Sequence, residues 1–529
     1  MAKAPVLMLG LDAFDPELAL EWAAAGELPT LRRLLGQSAT CPVRNPYGLL
    51  VSGLWPSFAT GLRPDRHGFH AWDYIDIDSY ERRVTGPLWQ GCEPFWEALS
   101  RAGRRVAVVD VPHSKVGAPV NGIKIVEWGC HDRHFGLHGW PPTLPAEVLA
   151  ALGPHPVFGH AHSESDFAAD DYVHRAGNRR TLPEEEALLR DLLDGVELKR
   201  RLLCDLLPRE PWDLFLAVFG ESHAVGHQLW HRHDPVAPRV GPETGTNGAE
   251  DPVLQVYRRI DAALGALLAA AGPETAVVLL LSHGMGPHHD GTHLLEEVLA
   301  RLDRHYRGLA PASRMRERVQ RASRPIVPWL RAAASRLSLP LALRSAAGRL
   351  VAVSDLARPE DRRGRLFFVE PNNTLYAGIR LNLAGREPMG RVDPAEADAL
   401  CDRLREDLLG LVNADTGGKV VAGVERCDRH HRRSPRDVMP DLFVDWVRDA
   451  PIGAVTSPAI GTVHAPYRYW RSGDHRPDGL MLVCAPDVGP GSRHAAIDVE
   501  DIAPSLSARL GVSLDGVDGR AVPWIAGAG

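Results

Sequence analysis

Six short apolar runs punctuate the chain, and they constrain its fold more than any other feature. They are Pro5–Gly10 (PVLMLG), Arg105–Val111 (RVAVVDV), Trp212–Phe219 (WDLFLAVF), Ala276–Leu281 (AVVLLL), Asp441–Trp446 (DLFVDW) and Gly479–Cys484 (GLMLVC). Their apolar residues are largely consecutive, which suits strands buried on both faces. Helical patterns over Glu93–Ala102, Glu184–Leu207 and Val253–Ala271 each precede such a run. Strands alternating with helices predict an α/β fold, a doubly wound, mostly parallel sheet flanked by helices. Ligands in such sheets bind beyond the carboxyl ends of the strands. The residues just after each run are therefore the place to look for function.

The pattern changes between about Leu295 and Met439. Arg301–Arg349 reads as a basic helical surface, Leu366–Leu383 as strands and Asp393–Leu411 as a helix. Residues 1–295 and 435–529 are expected to form the core, and residues 296–434 an inserted cap. Asp234–Pro252 is expected to be a loop. The chain's 529 residues leave room for such a core with an insertion.

Composition narrows the partners. Sixty Lys and Arg against 67 Asp and Glu give a net charge of −7, so a nucleic-acid polymer is not expected. Seven dispersed cysteines without a C-x-x-C pair argue against a disulfide framework or a zinc ribbon. The apolar start reads as a first strand rather than a signal segment, and no run of about 20 apolar residues offers a membrane span. A cytoplasmic location is expected. The 24 histidines stand out, because imidazole is the commonest metal ligand.

Those histidines concentrate where the fold argument points. After the first run stands Asp12, a carboxylate free to hold a cation because Asp15-Pro16 is the better helix cap. After the Trp212–Phe219 run comes FGESHAVGHQLWHRH, with His223 and His227 four apart. On a helix they share a face and can chelate one ion. His231 continues that face, and Glu221 is a further ligand or base. After Ala276–Leu281 comes LSHGMGPHHDGTH, with His283, His288, His289, His293 and Asp290. His475, flanked by Asp474 and Arg476, sits in SGDHRPDG before the last run. In VSGLWPSFATGLRPDRHG, Ser52 and Gly53 precede a short predicted helix. A hydroxyl at a helix N-terminus suits a nucleophile beside an oxyanion site; an ordinary cap reads equally well there. In the insertion, Arg380 and Arg386 could form forks for a phosphate or carboxylate, with strand-surface charges as the plain reading.

The ordered set resembles the alkaline phosphatase superfamily, and within it the type I phosphodiesterase/nucleotide pyrophosphatase branch. It comprises Asp12, Ser52 ahead of TGLRPDRHG, a pair spaced by four, HGM, a late His475 and the closing Asp501–Val522. The resemblance covers roughly residues 5–295 and 435–525. It implies a metal-dependent phosphoester hydrolase acting on a small molecule, with one or two divalent ions, zinc or manganese. Asp12, Ser52 and His283 would hold the nucleophile-side ion, and His227 and His475 the other, with His223 beside them. Ser52 would attack phosphorus and form a covalent phospho-enzyme.

The chain departs from the pattern at two positions. Relatives carry Asp where this chain has His223 and Ser282, so two carboxylates leave the site. Glu221 or Asp290 could compensate. A phosphotransferase or phosphomutase on the same core, or a catalytically altered binding protein, are the alternatives.

Overall fold

A computed structural model describes residues 4–71, 73–84, 91–114, 117–130, 136–158, 182–234, 250–309, 359–372, 375–465 and 471–527. Most of the basic segment Arg301–Arg349 and nearly all of the Asp234–Pro252 loop lie outside them. The central feature is a nine-stranded sheet. Its strands are β1 (Val6–Leu11), β2 (Ala39–Arg44), β3 (Val106–Val109), β4 (Gly122–Val126), β5 (His138–Trp140), β6 (Leu214–Phe219), β7 (Ala276–Leu281), β8 (Asp478–Cys484) and β9 (Ile497–Asp498). Their order is β9-β2-β8-β7-β1-β6-β3-β4-β5. The middle strands β7-β1-β6-β3-β4 pair in parallel, whereas β8 runs antiparallel between β7 and β2. The expected doubly wound α/β architecture is the one observed.

Side-chain alternation explains the uninterrupted apolar runs. In β1, Leu7, Leu9 and Leu11 join one hydrophobic cluster, while Val6 and Met8 join another on the opposite face. In β6, Phe215, Ala217 and Phe219 point to the first cluster and Leu214, Leu216 and Val218 to the second. Both faces are dry because helices cover both, so neither face can carry a polar residue cheaply.

Strand register then sets the site. Leu11 pairs with Phe219 on one side and with Leu281 on the other. The three strands therefore end on one line across the sheet. Asp12 N donates to Phe219 O at 2.9 Å, and Ser282 N to Leu11 O at 3.1 Å. The helices of the core include α1 (Leu50–Thr60), α2 (Leu182–Leu206), α3 (Glu221–His233) and α4 (Pro252–Ala270).

The insertion has its own sheet, formed by Phe367–Glu370, Tyr376–Leu381, Leu442–Trp446 and Val421–Arg426. The run Asp441–Trp446 thus belongs to the cap, not to the central sheet. The cap's hydrophobic cluster runs from Leu294 to Val463, past the residue-434 boundary expected from sequence. An apolar run marks burial on two faces: Leu442, Val444 and Trp446 join the cap's cluster, while Phe443 packs on the other face with Leu49, Cys427 and Met439.

The cap grips the chain on both sides of α1. Before the helix, Asn372 Nδ2 donates to Gly48 O and His431 Nε2 bonds Tyr47 O, both at 2.8 Å. After it, Glu370 accepts from Ile75 N at 2.7 Å and Tyr80 Oη donates to Asn382 Oδ1 at 2.8 Å. The seven cysteines are not joined in disulfides. No helix among the described residues is long and apolar enough to cross a membrane.

Candidate metal centre and active site

Helix α3 starts two residues after β6 ends, which brings its first turns over the sheet's carboxyl edge. His223 and His227 occupy successive turns of that helix, as their spacing predicts, and both are buried. His475 reaches them from strand Gly473–Arg476, which pairs antiparallel with Gly284–Pro287. The Nε2 atoms of the three rings converge. His223 and His475 are 2.9 Å apart, His227 and His475 3.1 Å, and His223 and His227 3.2 Å. Ligand atoms about 2.0–2.1 Å from a tetrahedral zinc lie about 3.3–3.4 Å from one another, so the triangle is close to the size of such a shell. His227 Nδ1 bonds Gly473 O at 2.8 Å. A carbonyl can only accept, so that ring carries its proton on Nδ1 and presents a lone pair on Nε2. The donor set fits one divalent ion of the zinc type.

Two ligand-capable groups overlap here. One is His223, His283 and His475; the other is His227, Asp474 and His475. Asp12 belongs to neither. Its Oδ1 accepts from Trp55 Nε1 at 2.9 Å and from Ser282 Oγ at 3.3 Å. Ser282 Oγ also sits 2.9 Å from His283 Nδ1, and His283 Nδ1 lies 3.8 Å from the Asp12 carboxylate. The serine at 282 therefore links Asp12 to His283 by hydrogen bonds. Ser222 Oγ donates to Asp12 O at 2.5 Å and ties α3 to the end of β1.

Ser52 is buried in the first turn of α1, which begins at Leu50. It is not the cap, since Leu49 holds that position without a side-chain bond. The first intrahelical bond runs from Gly53 N to Leu49 O at 2.9 Å, so the Ser52 N–H precedes the bonded ladder. Trp55, three residues on, shares the Ser52 face and holds Asp12. The Thr60-Gly61 turn that ends α1 is locked from far away. Asp518 N and Gly519 N donate to Gly61 O at 2.9 and 3.0 Å, and Arg63 N donates to Asp518 at 3.0 Å. His67 bonds Ser57 Oγ at 3.0 Å, and burial pushes its pKa down to about 3. The late Asp-Gly-Arg and the TGLRPDRHG stretch are thus one structural unit.

Other sequence candidates lie elsewhere. Glu221 faces away from the three rings: its carboxylate meets His155 Nε2 at 3.0 Å and Lys199 Nζ at 3.7 Å. Burial alone would raise Glu221; the Lys199 charge and the His155 bond outweigh it and hold the group below its ordinary value. Asp290 pairs with buried His288 at 2.8 Å and accepts from Thr292 N at 2.7 Å. Neither carboxylate belongs to the two ligand groups found among the described residues. His289 bonds Arg448 O, and His231 bonds Glu185 and Ser472. Arg380 and Arg386 are braces within the cap. Arg380 is buried against Glu387 and the carbonyls of Met439 and Asp437, and Arg386 spans Glu387 and Asp441. The sequence reading passed over Trp55, which no polar motif marks. It also passed over Arg471, whose Nη1 lies 3.5 Å from His227 Nε2.

The chain matches the type I phosphodiesterase/nucleotide pyrophosphatase family over residues 6–448, and it belongs to that family. This membership makes it a hydrolase of phosphoester bonds. Among solved structures it is similar to murine ectonucleotide pyrophosphatase/phosphodiesterase 5, in an inactive variant complexed with AMP. The identity is 13%, with 99% of this chain and 98% of that chain covered, at a TM-score of 0.50. It is also similar to phosphonoacetate hydrolase from Sinorhizobium meliloti 1021 in complex with phosphonoformate. There the identity is 14%, the coverage 97% and 96%, and the TM-score 0.48. At these identities the likeness is one of fold. A search of curated proteins finds no match.

Proposed function

We propose that the chain hydrolyses a small phosphodiester with one zinc ion held by His223, His227 and His475. The observation that carries this reading is the convergence of the three Nε2 atoms at 2.9–3.2 Å. A bound ion supplies Lewis-acid stabilisation of charge developing on the phosphoryl oxygens. Manganese suits this site less, because an all-imidazole set favours zinc over harder ions.

Ser52 is the nucleophile in this reading. Its hydroxyl lies at the start of α1, where unbonded N–H groups favour negative charge. Its oxygen attacks phosphorus in line, the alcohol departs with a proton, and water then cleaves the phospho-serine. Asp12, Ser282 and His283 form a hydrogen-bonded row that Trp55 ties to the same helix. They hold a proton rather than a second ion, because Ser282 supplies a hydroxyl where a dication would need a carboxylate.

Turnover of bis(p-nitrophenyl) phosphate by purified zinc-loaded protein tests the proposal. Ser52→Ala and His475→Ala are each expected to lower kcat/KM by at least about a thousandfold. Full activity in Ser52→Ala overturns the serine nucleophile. Metal binding without any Ser52-dependent turnover makes the chain a binding protein.

A further inference from the structure

The arginines expected to grip substrate are buried braces of the cap, which leaves the phosphoryl group without an assigned cation from the protein. Arg471 stands at the right place. It precedes the strand that carries His475, and its backbone is bolted to the metal-binding helix. Ser472 N donates to His227 O at 2.8 Å, and the Ser472 hydroxyl bonds His231 Nδ1 at 3.0 Å. Ser472 O accepts from His288 N, and Arg471 O meets His288 Nδ1 at 3.1 Å. Gly473 completes the clamp: a Cβ there would sit 2.2 Å from Gly226 O, so only glycine lets the strand approach α3 so closely. Arg471 is thus fixed at its root while its half-buried side chain points at the cluster.

The end of that side chain decides its role. Its Nη1 is 3.5 Å from His227 Nε2, the atom that faces the other two imidazoles. A guanidinium has donors and no acceptor, and His227 Nε2 offers a lone pair. An ion in the centre takes that lone pair, and whatever else the ion binds then lies close to the same guanidinium. Three neutral imidazoles leave the ion's two positive charges intact. Placing a guanidinium next to such a charge is unfavourable unless an anion lies between them. Asp474 and Asp12 offset part of the excess; a phosphoryl group with two non-bridging oxygens offsets the rest.

We propose that Arg471 is the anion-positioning residue of this centre. Its guanidinium binds one non-bridging oxygen of the substrate's phosphoryl group while a second oxygen faces the imidazoles. This inference rests on the phosphoesterase reading above and names how that site recognises its substrate.

The test titrates inorganic phosphate into zinc-loaded full-length protein by calorimetry, with zinc content measured on every sample. Arg471→Ala is expected to weaken phosphate binding about ten- to a hundredfold, the range for a charge-assisted bond, with zinc content unchanged. Arg471→Lys keeps a point charge without the fork and is expected to fall between the two. Bis(p-nitrophenyl) phosphate turnover is measured alongside, and KM is expected to rise in both variants. Phosphate affinity within about twofold of wild type in Arg471→Ala overturns the inference, as does loss of zinc in Arg471→Lys, which would make the arginine a brace for His227. If wild type turns over the diester through Ser52 but binds phosphate independently of Arg471, this inference fails and the functional reading stands. If phosphate binding depends on Arg471 without any turnover, the functional reading fails and the inference stands.

Discussion

Lys199→Met removes a fully buried ammonium from beside the first turn of α3. Lys199 Nζ lies 3.3 Å from Asp110 and 3.7 Å from Glu221, and it donates to Gly129 O and Val218 O at 2.9 and 3.0 Å. All three charged side chains are wholly inaccessible. At an effective dielectric of about 20, the attractions are about 5 and about 4.5 kcal/mol. Desolvation of the ammonium offsets several kcal/mol of that sum. The variant's escape is to protonate a carboxylate. For Glu221, taking up a proton at about pH 7 from an ordinary value of 4.5 costs about 3.4 kcal/mol. The expected loss is therefore about 3–5 kcal/mol, the usual range for orphaning a buried charge.

The same argument fixes a pH dependence. In the wild type Glu221 is held below its ordinary value, so its contribution is complete above about pH 4.5 and is lost as pH falls through the folded value. In Lys199→Met the folded state keeps a proton that the unfolded state releases. Its stability then declines with rising pH, by up to about 1.4 kcal/mol per unit. Urea unfolding followed by tryptophan fluorescence between about pH 5 and about pH 8 measures both effects. The gap from wild type should widen as pH rises, and Lys199→Met/Glu221→Gln should recover part of it. A loss below about 1 kcal/mol, or a gap that ignores pH, refutes the reasoning.

Three further outcomes follow from the same structure. Gly48 has φ +75, and a Cβ there would lie 2.5 Å from the Phe443 ring, so Gly48→Ala should cost about 2–3 kcal/mol and lower the melting temperature. Arg380→Met should destabilise the cap by about 1–3 kcal/mol by leaving the buried Met439 and Asp437 carbonyls without their donor, since Arg386 still holds Glu387, while phosphate affinity per folded molecule stays at the wild-type value in calorimetry. Ser282→Asp places a carboxylate between Asp12 and His283, and elemental analysis should then find a second ion per chain.

Much of this was readable from residues alone, for definite reasons. Strands β1, β6 and β7 are each followed at once by candidate site residues, so the places of Asp12, Ser282, His283 and the start of α3 are legible in the sequence. The His223–His227 pair was legible because helical spacing puts both on one face. The role of Asp441–Trp446 was not, since an apolar run records burial without saying in which sheet. Arg380 and Arg386 misled because their partners include Asp437, Met439 and Asp441, which only the cap fold brings near. Glu221 sits beside the histidines in sequence yet points into the Lys199 network, since adjacent helical residues face different sides.

The central claim is a single ion on three imidazoles, with Asp12 beside it and not part of its shell. Elemental analysis of zinc-equilibrated, desalted protein tests it most directly, comparing wild type with His475→Ala and Asp12→Asn. About one zinc per chain is expected in wild type and in Asp12→Asn, and close to none in His475→Ala. Two zinc ions per wild-type chain, or equal loss in Asp12→Asn and His475→Ala, would contradict it.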